Sequence, residues 1–261
     1  MANYFNISFI GSGNVAWHLA QACEDAGHSV GEVYSRTIKN AKALCEQLYD
    51  SAPTDHLDFS ESKSSIFILA VPDKFITYIA ERINLPAESI LVHTSGSEPI
   101  ESIRSMNSGA GVFYPVQTFS KKRKINFNEV PICIEAEEKG VEKILVSLAK
   151  TLTRNVHLLD SHQRKVVHIS AIFANNFTNH LLTISKGLTE SVEIDFSLLK
   201  PLLIETIQKS LQLGPEHAQT GPAIRQDFKT IQSHLELLKD EPFLQELYKL
   251  LSEDIIRMHQ G

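Results

Sequence analysis

The chain has 261 residues, 43% of them hydrophobic, and carries 25 Lys and Arg against 31 Asp and Glu for a net charge of -6. That apolar content supports one large or two modest cores, and the acidic balance argues against nucleic acid as a partner, which requires a strongly basic face. No apolar run reaches the ~20 residues of a membrane span. The N-terminus lacks the basic and apolar regions of a signal peptide, and Cys23, Cys45 and Cys133 show no C-x-x-C spacing. A cytoplasmic protein without a metal site, a disulfide framework or a membrane partner is expected.

Residues Asn6 to Ala22 carry the densest signal. Ile7, Phe9 and Ile10 form a short apolar run, Gly11 and Gly13 break it, and Ala16, Leu19 and Ala20 then recur at helical spacing. Strand, tight turn and helix follow one another, in the pattern G-x-G-x-x-A of a dinucleotide-binding fingerprint. Gly11 allows the tight turn, Gly13 the approach of a pyrophosphate, and Ala16 close packing of helix on strand. The anion would lie at the helix N-terminus, where unpaired N–H groups and the dipole favour it. Gly11, Ser12, Gly13, Asn14 and Val15 are the expected cradle.

A helix stop at Gly27 leads to a second strand, Ser29 to Tyr34, ending in Ser35-Arg36-Thr37. Chains that use NAD usually hold the ribose hydroxyls with Asp or Glu about 20 residues beyond the glycines. Here two hydroxyls flank a guanidinium that can fork onto a phosphate. Glu32 lies too far inside the strand to take the acidic role. Ser35, Arg36 and Thr37 therefore point to NADP, the alternative being an ordinary exposed arginine.

A helix over about 38–49 and a short strand near 53–57 follow. Ser65 to Val71 reads as a strand buried on both faces of a parallel sheet, with Asp73 expected to cap the next helix. Ligands in such sheets lie beyond the strands' carboxyl ends, so Ala70, Val71 and Pro72 should face the cofactor. Ile90 to Val92 repeats the pattern, and His93, Thr94, Ser95 and Gly96 leave its end; they can serve a site or simply form a turn. Further strands are expected at 111–116, 131–135 and 156–159, around a helix at 137–151. The basic loop Lys121 to Lys124 reads as a solvated loop.

From Ser161 the strand signals cease. One long helix is expected to Ser191, with others at 197–213, 223–239 and 242–258. Lys165, His168, Ile172, Asn175 and Asn179 share a face at three- and four-residue steps, and Asn176 is adjacent. An imidazole among carboxamides suits the orientation of a carbonyl or imine, although a satisfied structural histidine fits the pattern as well. Arg225 and Asp227 are expected on the 223–239 helix.

Taken together, the glycine loop, Ser-Arg-Thr at 35–37, Ala-Val-Pro-Asp at 70–73, His-Thr-Ser-Gly at 93–96, Tyr-Pro-Val-Gln-Thr-Phe at 114–119, Lys165 with His168 and Asn175, and the run Thr220 to Asp227 resemble a dehydrogenase superfamily. Its members include 6-phosphogluconate and 3-hydroxyisobutyrate dehydrogenase, pyrroline-5-carboxylate reductase and the deazaflavin-dependent NADP reductases. The match is narrower to an uncharacterised branch with a Rossmann-like domain and a C-terminal domain of unknown function. The resemblance implies an α/β fold: a Rossmann-type, doubly wound, mostly parallel sheet over 1–160, then an all-α substrate and dimerisation domain over 161–261. It also implies a homodimer and a site in the cleft between domains. The hydroxyacid dehydrogenases carry a catalytic lysine followed four residues later by asparagine; here Ile169 stands four after Lys165, so that lysine role is not carried over.

The expected activity is NADP-dependent hydride transfer to or from a small carbonyl or imine. His168, Asn175 and His93 are the candidate catalytic residues, and Lys165, Asn176 and Arg225 the candidate substrate contacts. A non-catalytic NADP sensor or scaffold acting through its helical dimerisation domain is the alternative, since both need the same glycine loop. A methyltransferase is disfavoured by Phe9-Ile10 and Ser35-Arg36, where acidic residues would be usual.

Overall fold

The computed structural model describes residues 4–104 and 109–259. It divides into two compact units, 1–180 and 181–261. The first is built on an eight-stranded sheet of order β3-β2-β1-β4-β5-β6-β7-β8. Its strands are β1 (Asn6–Ile10), β2 (Ser29–Tyr34), β3 (Ala52–Thr54), β4 (Ile66–Leu69), β5 (Ile90–His93), β6 (Gly109–Pro115), β7 (Ile132–Ala136) and β8 (Val156–Leu158). All neighbours pair parallel except β6 and β7, which run antiparallel. The reversal of strand order falls between β1 and β4, where such sheets open a crevice for ligands.

The sheet is apolar on both faces because both are covered. Ile7, Phe9, Ile66, Ile68 and Val92 bury against α1 (Asn14–Asp25), α2 (Ile38–Cys45) and α4 (Lys139–Leu152). Ile10, Phe67, Leu69 and Leu91 point the other way, onto α3 (Ile76–Ala80) and the 3-10 turn Ile100–Ile103. The period-2 alternation of the strands thus feeds two cores. Helix α1 ends as expected, with Gly27 at φ 88°.

Several elements are shorter than the sequence reading. Helix α2 stops at Cys45, short of the expected 49, and β5 is followed only by the 3-10 turn Ile100–Ile103 as far as the described residues run. Asp73 does not cap the next helix: its Oδ2 accepts a hydrogen bond from Ser97 Oγ at 2.5 Å. The long helix expected to Ser191 is three pieces: α5 (Ser161–Ala171), a π-helical segment (Ile172–Phe177) and α6 (Thr178–Glu190). The π segment widens the turn, and Thr178 Oγ1 reaches back five residues to the Phe173 carbonyl at 3.3 Å.

Helix α5 belongs to the sheet unit, and the division at 180/181 lies beyond the boundary expected at 160/161. A capping box, Asp160 with Gln163, starts it. Arg164, only 1% exposed, then anchors it. Its guanidinium meets Glu135 Oε2 on β7 at 3.0 Å and donates to the Ser95 carbonyl at 3.0 Å. Ser161 Oγ donates to Glu135 Oε1 at 2.6 Å.

The second unit holds α7 (Lys200–Leu213), the single turn α8 (Pro215–Ala218), α9 (Phe228–Leu237) and α10 (Pro242–Met258). Helix α9 begins later than expected, because Asp227 caps it by accepting from the Thr230 N–H and hydroxyl. Arg225 and Asp227 are therefore off the helix. No helix among the described residues is long and apolar enough to cross a membrane.

Removing Arg164 would leave Glu135, itself largely buried, without its counter-charge. Arg164→Met is expected to cost roughly 3 kcal/mol of unfolding free energy, read as a lower denaturant midpoint at unchanged slope. Glu135→Gln with Arg164→Met should recover part of that loss.

Candidate functional site

The β1–α1 turn is held from two sides. Gly11 N–H donates to the Tyr34 carbonyl at 2.9 Å, and Gly11 sits at φ 121°, in the left-handed half of the map. A β-carbon there would stand 2.2 Å from the Ala70 carbonyl oxygen, so only glycine fits. Gly13 differs: its virtual β-carbon finds only the Ala70 oxygen, at 4.0 Å, which leaves room for a ligand to approach the backbone. Beyond the turn lies a cavity of about 480 Å³, lined by Gly11, Ser12, Gly13, Ser35, Arg36, Ala70, Val71 and Pro72, and by Lys74, Phe75 and Tyr78. Its lining contains two cations and no carboxylate. A phosphate-bearing dinucleotide fits this donor set.

Eight of the fourteen expected cofactor contacts thus meet around one cavity. Asn14 and Val15 form the first turn of α1 just past the loop. Thr37 holds the N-cap position of α2 without a side-chain bond. Thr94, Ser95 and Gly96 do not line that cavity; all three are buried. Thr94 Oγ1 donates to the Leu69 carbonyl, and Ser95 Oγ accepts from the N–H groups of Ser97 and Glu98. Glu32 is occupied elsewhere: its carboxylate accepts from Ser8 and Ser62 hydroxyls.

His93 is sealed in the sheet, at 0% exposure, and lines neither cavity described here. Its Nδ1 accepts from Ser95 N–H at 3.2 Å, and its Nε2 is buried with no hydrogen-bond partner among the described residues. Desolvation, reinforced by the Arg164 charge, lowers its pKa from 6.5 to about 4. The ring is a neutral prop for the 93–97 turn and is not brought together with His168 and Asn175 at one cavity.

A second cavity, of about 360 Å³, is lined by Tyr114, Val116, Gln117, Thr118, His168, Ala171, Ile172, Ala174, Asn175 and Asn176. Tyr114 Oη lies 3.1 Å from His168 Nδ1, with the rings edge to face. A β-carbon on Gly96 would strike the His168 ring at 2.5 Å, so the imidazole is wedged between the 93–97 turn and Tyr114. Burial raises the Tyr114 pKa above 10. Asn175 and Asn176 reach this cavity from the π segment, a distortion common at functional sites. Lys165 is exposed on α5 and absent from the lining, and Arg225 is exposed in the second unit.

Tyr114 and Arg164 went unremarked as site residues in the sequence. The Asp160-x-x-Gln163 capping box was a legible marker of the helix start; nothing local marked Arg164 as buried or Tyr114 as facing a histidine.

A parallel sheet of order 3-2-1-4-5-6 with a glycine turn after β1 and a cation-lined crevice at the strand ends defines a Rossmann-type dinucleotide-binding protein. Residues 6–96 match the family described as NADP oxidoreductase, coenzyme F420-dependent, and residues 130–255 match a domain of unknown function, DUF2520. A candidate NADP oxidoreductase of Bacteroides fragilis is 37% identical, with TM-score 0.86, over 97% of this chain and 98% of that one. This chain belongs to that family of NADP oxidoreductases, and the cofactor read from the loop and Arg36 is the one by which the family is described. A Thermotoga maritima protein (21% identity, TM-score 0.73, 97% and 98% covered) shares the fold. So does a reductive aminase of Aspergillus terreus solved with NADPH and ethyl-5-oxohexanoate (14%, 0.71, 99% and 96%). No curated protein matches the chain.

Two outcomes follow. Gly11→Ala is expected to lose roughly 2 kcal/mol of stability and the NADPH-induced rise in melting temperature, checked by thermal denaturation with and without NADPH. His93 sets a pH dependence. Between its unfolded pKa near 6.5 and its folded value of about 4, the unfolded chain binds a proton that the buried ring refuses. Stability therefore falls as pH drops through that window, by on the order of 3 kcal/mol. His28, also lowered by burial, adds to the same limb. His93→Gln should flatten the slope of unfolding free energy against pH between 6.5 and 4.

Proposed function

We propose that this protein is an NADP-dependent oxidoreductase that transfers hydride between the nicotinamide and a small carbonyl or imine. The observation that carries the reading is the Tyr114–His168 pair, 3.1 Å apart on the wall of a cavity that also holds Asn175 and Asn176 and no Lys, Arg, Asp or Glu. The cofactor, when bound, supplies or accepts the hydride. Ser12, Gly13, Ser35 and Arg36 would hold it, with Ala70, Val71 and Pro72 as the opposite wall. His168 gives or takes the proton that accompanies hydride transfer at a carbonyl oxygen or imine nitrogen. Tyr114, whose proton is retained by burial, hydrogen-bonds His168 Nδ1 and orients the ring. With Nδ1 engaged by the phenol, Nε2 is the ring atom left to exchange a proton with the substrate. Asn175 and Asn176 offer amide donors and acceptors that orient the reacting group. Thr94, Ser95 and Gly96 support the ring from behind, and His93 supports their turn.

A substrate domain over 161–261 and a homodimer remain parts of this reading. Val166, Ile169, Phe173 and Phe177 are about half exposed or more, and the last two rings touch edge to face at 5.0 Å. An apolar stripe of that size on a helix favours burial against a second copy. Lys165 and Arg225, both exposed cations, are held as contacts for the substrate or the partner copy. A cytoplasmic setting suits a protein with free thiols at Cys23, Cys45 and Cys133. The sensor or scaffold alternative draws on the same apolar stripe, and turnover separates the two.

On a ketone or imine found by following NADPH oxidation, His168→Ala is expected to lower kcat by about a hundredfold or more. Tyr114→Phe should lower it by about tenfold and move the pH profile, with KM little changed. Full turnover by His168→Ala would remove the assigned role. NADPH should raise the melting temperature more than NADH at equal concentration, and Arg36→Gln should shrink that difference.

A further inference from the structure

Arg36 is one of two cations at the nucleotide cavity. Its Cζ stands 4.8 Å from the centroid of the Phe75 ring, and Lys74 Nζ stands over the same ring at 5.1 Å. The two reach Phe75 from different elements: Arg36 from the tip of β2, and Lys74 from the 3-10 turn that follows β4. Both line the cavity whose floor is the glycine turn, and no carboxylate lines it. Neither cation joins an ion pair among the described residues. The nearest acid in sequence, Asp73, is engaged by Ser97 Oγ at 2.5 Å. Two unpaired cations on one aromatic ring, at the end of the cavity marked by Ser35, make a site for a dianion lying beside a flat base.

We propose that Lys74 is a second specificity-determining cation for the cofactor's 2′-phosphate. Arg36 forks onto two phosphate oxygens, and Lys74, a point charge on a flexible stem, neutralises the remaining charge from the β4 side. Phe75 holds both charged heads in place and offers its ring edge to the adenosine. The inference rests on the NADP reading and deepens it: discrimination against NAD is divided between the β2 tip and the turn after β4. Ser35 and Thr37 can only donate neutral hydrogen bonds to the phosphate, so most of the charge selectivity falls to Arg36 and Lys74.

The test uses the full chain and probes that lack the nicotinamide: adenosine 2′,5′-bisphosphate and adenosine 5′-monophosphate, titrated calorimetrically, with NADPH and NADH in parallel. Lys74 is exposed, so Lys74→Gln should fold with an unchanged melting temperature in the absence of ligand. It is expected to weaken adenosine 2′,5′-bisphosphate and NADPH by about tenfold and leave the monophosphate and NADH within twofold. Lys74→Arg should restore the tighter binding. A wild-type preference for the 2′-phosphorylated probes that survives Lys74→Gln intact overturns the role of Lys74 and leaves the NADP reading standing. Equal weakening of all four probes also overturns it, since that marks general support of the cavity. A wild-type chain with no preference for the 2′-phosphate overturns the NADP reading itself, and this inference with it.

Discussion

One guanidinium joins three parts of the first unit that are distant in sequence. Arg164 on α5 meets Glu135 on β7, the Ser95 carbonyl after β5, and, more loosely, Ser161 at its own helix start. A buried charge is costly unless paired and fully bonded, and here the carboxylate and the carbonyl supply that pairing. The consequence is geometric. Ser95 lies one residue from Gly96, and Gly96 touches the ring of His168, one helical turn beyond Arg164. The same turn rests from below on His93, whose neutral ring tolerates the adjacent positive charge. The position of His168 against Tyr114 is thus set by a chain of contacts that starts at the Arg164 ion pair.

The nucleotide cavity and the cavity beside His168 divide the chemistry by charge. The nucleotide cavity has glycine backbone on one side and cations on the other, a surface complementary to phosphates. The second cavity has an imidazole, a phenol and amides, but no carboxylate, lysine or arginine. A lining of apolar side chains and amides, without Lys, Arg, Asp or Glu, suits an uncharged reacting group. The π segment matters here, because it brings Asn175 and Asn176 together on the wall that a regular helix would give to every third or fourth residue.

Much of this was legible in the chain. The period-2 apolar runs of β1, β4 and β5 identify strands buried on both faces. Gly11, Gly13 and Ala16 mark the turn, and Arg36 stands where an acidic residue would hold a ribose. These signals are local: each depends on residues within one strand, turn or helix, so spacing alone reveals them. The misread elements are those where a local preference lost to a distant partner. Asp73 has the chemistry of a helix cap but bonds Ser97, and the predicted helix to Ser191 is broken by the π segment. His93 looked available at a strand end and is instead walled in by neighbouring strands.

The sequence by itself therefore determined the order of strands, the glycine turn and the choice of NADP as cofactor, because backbone conformation and period are properties of neighbouring residues. Only the tertiary structure decided that Arg164 is buried, that Tyr114 faces His168, and that Lys74 shares a ring with Arg36. Each of those pairings spans between 29 and 54 residues of chain or joins separate crossovers. Burial of a charge, the hydrogen-bond partner of a histidine and the convergence of two cations exist only once the strands have been brought side by side.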